Sequence, residues 1–304
     1  MSATCEIDFE NNPRKIVYAG KLLRGTVRLN LTKNTIVRSV YIRIKGKAFA
    51  AWDSDDVEVK EEYFNEKMYF IGSRGSAGKI RLKAGKYKFT FEFILPSNVP
   101  SSIEGKIGQI KYTVRVVLDM PLWMNKVFKE PFILMKALNL NDLPSLRQPL
   151  IGEKTKDVDC FGLFSPKTIT ITARAPVGGF LPRQTVNLEI HVHSQSSVAV
   201  SKFSAELIQL ISYSVEYKSC GFKTKYNEEE EKTLFLMTID GCSGNEEKIV
   251  HLDVAIPPTP PTEILMSKAI KVTYLIRITA LTLGLYKNLT LDLPITIGSY
   301  PFQY

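Results

Sequence analysis

Six basic residues, Arg74, Lys79, Arg81, Lys83, Lys86 and Lys88, fall within fifteen positions, and Arg43, Lys45 and Lys47 alternate along a second stretch. At this density Lys and Arg offer charge-assisted hydrogen bonds to carboxylates, or to phosphates of about −1.5 to −2 charge. Apart from Tyr87, aromatic residues are not interleaved with them as single-stranded nucleic acid binding would need. The expected partner is therefore an acidic or phosphorylated peptide, with an anionic membrane surface possible, and not nucleic acid. The competing reading is a solvated, solubilising face. These nine residues are the candidate cargo- or anion-binding set.

Other constellations carry less. His191 and His193, at i and i+2 of a strand-like run, can share one face as some zinc sites require, but no carboxylate or thiol stands at ligand spacing. No metal site and no cofactor are expected. Ser73-Arg74-Gly75-Ser76-Ala77-Gly78-Lys79 resembles a phosphate loop only superficially, because the first Gly is missing and Ile80 replaces the required Ser or Thr. No nucleophile elbow, Ser/His/Asp arrangement or paired carboxylates in an apolar setting occurs, so the chain is not expected to be an enzyme. Cys5, Cys160, Cys220 and Cys242 form no C-x-x-C pair and read as reduced thiols.

The elements that must position these residues are strands. Val40 to Lys47 alternates with period two, placing Ile42 and Ile44 on a core face and Arg43, Lys45 and Lys47 on a solvent face. Tyr87 to Phe93 and Lys167 to Arg174 repeat the pattern. No sustained helical period appears, and at most a short helix is expected. Three polar stretches, 53–65, 73–85 and 219–232, read as long loops, with Glu228 to Glu231 at a solvated hairpin tip. The first residues carry no apolar stretch, so no signal peptide is expected, and no run of 18 apolar residues follows.

The 304 residues contain a repeated register. Gly20, Thr26, Val27, Leu29 and Leu31 recur as Gly179, Thr185, Val186, Leu188 and Ile190. Further on, Pro96, Pro100 and Ile103 recur as Pro257, Pro261 and Ile264, and Ile110, Tyr112, Val114 and Val116 as Val272, Tyr274, Ile276 and Ile278. Two β-sandwich domains are expected over 1–143 and 157–304, joined by a linker at 144–156. Charge divides unevenly between the halves. Residues 1–152 hold 25 Lys/Arg against 15 Asp/Glu, a surplus of +10, while 153–304 hold 15 against 16, or −1. Asymmetry of this size points to a partner surface on the first half.

Phe91-Glu92-Phe93-Ile94-Leu95-Pro96, then Pro100-Ser101-Ser102-Ile103-Glu104-Gly105 and Gly108-Gln109-Ile110-Lys111-Tyr112-Thr113-Val114, resemble the amino-terminal domain of arrestins, in particular α-arrestins. Leu138-Asn139-Leu140 with Pro144 and Pro149 is similar to the family's inter-domain segment. Cys160-Phe161-Gly162, Ile169 to Ala173, Gly179 to Val186 and the closing Leu291 to Gly298 resemble the carboxy-terminal domain. The resemblance implies an all-β fold of two tandem arrestin-like, immunoglobulin-type β-sandwich domains. It also implies a cytoplasmic adaptor, recruited to plasma membrane or endosomes, that binds membrane cargo such as receptors or transporters for endocytosis, sorting or ubiquitination. The family's ubiquitin-ligase handle is a Pro-Pro-x-Tyr motif in a tail after the second domain. Here Pro257-Pro258 and Pro260-Pro261 lack the tyrosine and the sequence ends at Tyr304, so ligase machinery is expected to be reached indirectly. Arg183 stands where the family often has Gly. One alternative implied by the resemblance is a thiol-dependent thioredoxin-binding regulator using Cys242, although Glu246 and Glu247 would raise that thiol's pKa. The other is a structural scaffold binding peptides at a sheet edge.

Overall fold

The computed structural model describes residues 3–52, 57–75, 78–121, 124–157, 168–219, 222–282 and 287–303. Cys160-Phe161-Gly162, Cys220 and the Ser76-Ala77 centre of the phosphate-loop-like segment lie outside these residues.

Among them no α-helix occurs, and alternating sequence becomes strand throughout. The first half carries β1 (Ala3–Phe9), β2 (Ile16–Tyr18), β3 (Leu22–Leu31), β4 (Thr35–Val37), β5 (Ser39–Trp52), β6 (Val57–Ile71), β7 (Ile80–Leu82), β8 (Gly85–Ile94), β9 (Ile103–Glu104), β10 (Gly108–Asp119) and β11 (Lys126–Met135). After two short 3-10 turns, Leu140–Asp142 and Pro144–Arg147, come β12 (Leu150–Asp157), β13 (Thr168–Ala175), β14 (Gly179–Phe180), β15 (Thr185–Ser194), β16 (Val200–Ser219), β17 (Phe222–Cys242), β18 (Glu247–Ala255), β19 (Ile270–Thr282) and β20 (Leu289–Ile297).

The chain divides into two compact units. One comprises Met1–Lys136 with Tyr213–Asn227 and Leu265–Ile270; the other comprises Ala137–Ser212, Glu228–Ile264 and Lys271–Tyr304. In the first, the sheet β1-β3-β8 faces the sheet β2-β11-β10-β5-β6. Aromatic rings join the two layers: Phe9 with Phe132 at 6.0 Å, Phe64 with Phe93 at 5.8 Å, and Phe70 stacked on Phe89 at 4.6 Å. Such pairs add to the burial of Val27, Leu29, Ile42, Phe91 and Val114 that drives the layers together. Also within this unit, Glu61 on β6 accepts from Ser267 Oγ at 3.0 Å and from the backbone N–H groups of Lys268 and Ala269.

The second half repeats the plan with β12-β13-β15-β18 and β14-β20-β19-β16-β17. In both, a short strand runs parallel to the last long one, β2 beside β11 and β14 beside β20. The repeated tyrosines occupy matching places. Tyr112 on β10 donates its hydroxyl to Pro100 O at 2.7 Å, and Tyr274 on β19 donates to Pro260 O at 2.7 Å. The molecule is thus all-β, two tandem β-sandwiches.

Two of the stretches read as loops are largely strand. β6 and β17 are edge strands of their sheets, and Glu228 to Glu231 runs along β17 instead of capping a hairpin. Edge strands carry charge, which keeps other chains from pairing there, so the apolar alternation that identifies inner strands is muted.

Candidate anion-binding face

Alternation along β5 buries Ile42 and Ile44 and turns Arg43, Lys45 and Lys47 outward. The inter-strand register then adds residues from other strands. Arg43 lies opposite Lys67 of β6 and Arg115 of β10, and Arg115 lies opposite Lys129 of β11. Four cations therefore form a row across four adjacent strands, stepping about 4.8 Å each time. Lys111 of β10 stands opposite Lys47. Seven basic side chains, Arg43, Lys45, Lys47, Lys67, Lys111, Arg115 and Lys129, share this one sheet face. Like charges directly opposite one another destabilise a sheet, so the row makes no sense as a stability device.

Several members are steadied locally. Lys45 pairs with Glu62, which also accepts from Asn65 Nδ2 at 3.1 Å. The Lys45 hydrogen bond first, then the Asn65 bond, hold the Glu62 carboxyl below its ordinary range. Arg43 Nε donates to Asn65 Oδ1 at 2.6 Å, Lys67 Nζ lies 5.1 Å from the centre of the Tyr41 ring, and Lys111 reaches Glu104 at 3.2 Å. Arg115 differs: its Nε is buried and finds no acceptor among the described residues. Lys47 and Lys129 are exposed.

The nine candidates from the sequence do not converge. Lys86 and Lys88 point outward from β8, opposite Asn30 and Arg28, on the other side of the sandwich from Arg43. There Arg28 pairs with Asp8 and Glu6, and Arg24 with Glu92 at 2.9 Å. Arg81 sits on β7 opposite Ile36, Lys83 follows that strand, and Arg74 and Lys79 lie between β6 and β7. Proximity in sequence reflects a chain crossing from one sheet to the other. Lys67, Lys111, Arg115 and Lys129 escaped the sequence reading; alternation could place each on an outward face, but only register sets them side by side.

The remaining candidates are held in structural contacts. His191 Nε2 lies 2.8 Å from Glu189 Oε1 and His193 Nδ1 lies 2.6 Å from Glu247 Oε1, on the exposed face of β15 and β18. Among the described residues no three His, Cys, Asp or Glu side chains are placed to hold a metal. Cys242 is buried, and burial first, then Glu246, push its thiol pKa up and disfavour the nucleophilic thiolate. Burial likewise pushes Cys5 up to about 11. Among the described residues no helix is long and apolar enough to cross a membrane.

Residues 5–141 match the family model of the arrestin (or S-antigen) N-terminal domain, and residues 165–302 match that of the arrestin (or S-antigen) C-terminal domain. The chain is similar to arrestin domain-containing protein 1 of Homo sapiens, 26% identical over 289 residues, covering 94% of this chain and 62% of the relative. Against the Mus musculus protein of that name it is 30% identical over 203 residues, covering 66% and 45%. Arrestin domain-containing protein 17 of Caenorhabditis elegans is 24% identical over 309 residues, covering 96% and 69%. The chain therefore spans only 62% and 45% of the length of the first two.

Proposed function

The chain belongs to the arrestin family, and from that premise we propose that it is a non-enzymatic cytoplasmic adaptor, recruited to plasma membrane or endosomes. Its basic sheet face captures acidic or phosphorylated cytosolic tails of membrane proteins, such as receptors or transporters, for endocytosis, sorting or ubiquitination. The observation that carries this reading is the convergence of seven Lys and Arg side chains on the outward face of β6-β5-β10-β11, with an Arg115 donor left unmet. Within these 304 residues no Pro-Pro-x-Tyr motif is offered to ubiquitin-ligase machinery. The two Pro-Pro pairs of the chain lack the following tyrosine and sit in a segment where Ile256, Pro261 and Glu263 are buried and the Pro260 carbonyl is bonded to Tyr274.

Reversing Lys47 and Lys129 to Glu should abolish recovery of membrane-protein cargo by the tagged chain from cells. Both residues are exposed, so stability should stay within about 0.5 kcal/mol of wild type. Reversing Lys86 and Lys88 on the opposite sheet should leave recovery intact. Wild-type recovery by the first variant, with loss in the second, would move the cargo site to the three-stranded sheet.

A further inference from the structure

The offset of 162 residues that relates Tyr112 to Tyr274 also relates Arg115 on β10 to Arg277 on β19. Both arginines stand on the strand next to the partner of the short parallel strand, in sheets of the same order. Their surroundings are opposite in charge. Arg277 Nε and Nη2 donate to the two Asp292 oxygens, each at 2.9 Å. Its Nη1 and Nη2 donate to the two Glu231 oxygens at 2.7 and 3.1 Å. Asp292 lies directly opposite Arg277 on β20, and Glu231 comes from edge strand β17. Around Arg115 the residue directly opposite on β11 is Lys129, and the edge strand β6 presents Lys67, with Arg43 between.

One repeat thus shows what this arginine binds when the chain supplies the anions. In the other the same guanidinium is half-buried among cations, with its Nε facing no acceptor. A charged donor withdrawn from water and left unbonded is costly, and a row of like charges adds to that cost. An arrangement costly in the free molecule is relieved when an external anion arrives.

We propose that Arg115 is the central seat for carboxylates of an acidic peptide segment lying across the strands, its Asp or Glu side chains meeting the Nη edge of Arg115 as Glu231 meets that of Arg277. Carboxylates meet a guanidinium in the bidentate geometry that Arg277 displays. In an extended segment alternate side chains repeat about every 6.8 Å on one side, while the cations repeat about every 4.8 Å. The long stems of Arg43, Lys67 and Lys129 cover the mismatch. The assignment rests on the adaptor reading only in taking the partner to be a peptide.

The test uses the full 304-residue chain titrated at low salt with a short labelled peptide of alternating Gly and Asp. Its Asn counterpart, a phosphoserine counterpart and phosphatidylserine-containing vesicles form parallel arms. The Asp peptide should bind and the Asn peptide should not. Arg115→Gln should weaken binding about tenfold or more, whereas Arg277→Gln should lower Tm and leave binding within about twofold, since its partners are internal. Wild-type affinity in Arg115→Gln overturns the proposal, as does binding confined to the phosphoserine peptide or to the vesicles. Arginine modification by phenylglyoxal needs no variant: Arg115 should react in the free chain and be protected by the Asp peptide, and Arg277 should be slow in both. Equal reaction of Arg115 with and without saturating peptide also overturns it. Peptide binding that survives while cellular cargo recovery ignores this face sinks the adaptor reading alone; the reverse result sinks this assignment alone.

Discussion

Tyr112 and Tyr274 are the same residue of the repeat, yet their hydroxyls carry different loads. Tyr112 donates to Pro100 O and lies in a cage of Phe64, Phe132 and Tyr63 rings. Tyr274 donates to Pro260 O and also accepts from buried Gln209 Nε2 at 2.9 Å, with Thr259 Oγ1 at 3.0 Å. Burial, its largest influence, raises the Tyr274 phenol and keeps it protonated as a donor. Removing the oxygen at 112 leaves one carbonyl unmet, while removing it at 274 also leaves the buried Gln209 amide only its longer bond, 3.5 Å, to Thr259 Oγ1. Tyr112→Phe should therefore cost about 1 kcal/mol and Tyr274→Phe about 2–3 kcal/mol. Denaturant titration of the two variants measures this, and equal losses would show that Gln209 finds another partner. The Glu62 carboxyl is shifted in the opposite sense to the Tyr274 phenol. Because its folded pKa is depressed, its stabilising bond with Lys45 is present above the ordinary carboxylate range and is lost as pH falls through the lowered value, leaving Lys45 uncompensated on the sheet face.

At the scale of elements, a close approach at one glycine fixes where β6 bends. The β5–β6 register shifts between Gly46 and Lys47, and a Cβ at Gly46 would lie 2.4 Å from the Tyr112 ring and 2.9 Å from that of Phe64. Both rings are buried and cannot step aside. Gly46→Ala should therefore destabilise by about 1–3 kcal/mol through overpacking, read as a lowered Tm; an unchanged Tm would mean that β6 shifts freely at the bulge. The sequence made the inner strands legible because one face of each is dry: Ile42 and Ile44 against Arg43 and Lys45 leave little ambiguity. It hid β6 and β17, whose edges keep charge on both sides, and so hid Lys67 and Glu231, one from each. The candidate site was half legible for a related reason. Outward orientation is a property of a single strand, whereas the row Lys67, Arg43, Arg115, Lys129 is a property of register among four strands. Density along the chain then drew in Lys86 and Lys88, which the crossing between sheets carries to the opposite face.

For the molecule as a whole, duplication of one sandwich has been followed by divergence of charge. Residues 1–152 carry +10 and residues 153–304 carry −1, by 25 less 15 and 15 less 16. In the near-neutral repeat Arg277 is neutralised in place by Asp292 and Glu231; in the other, cations accumulate around Arg115. The same framework is thus a self-satisfied sheet in one repeat and, on our proposal, a receptive one in the other. Affinity carried by the receptive face must be electrostatic and screened, since the Debye length shrinks from about 10 Å at 0.1 M salt to about 3 Å at 1 M. A scaffold that added a peptide strand to a sheet edge would instead rely on main-chain hydrogen bonds and vary little with salt. Titrating an acidic cytosolic tail onto the full chain across this range should show a steep loss of affinity, shallower once Lys47 and Lys129 are replaced by Gln because fewer charges remain to be screened. A salt-independent affinity, unchanged in slope by those replacements, would assign the partner to a sheet edge and leave the basic face a solvated surface.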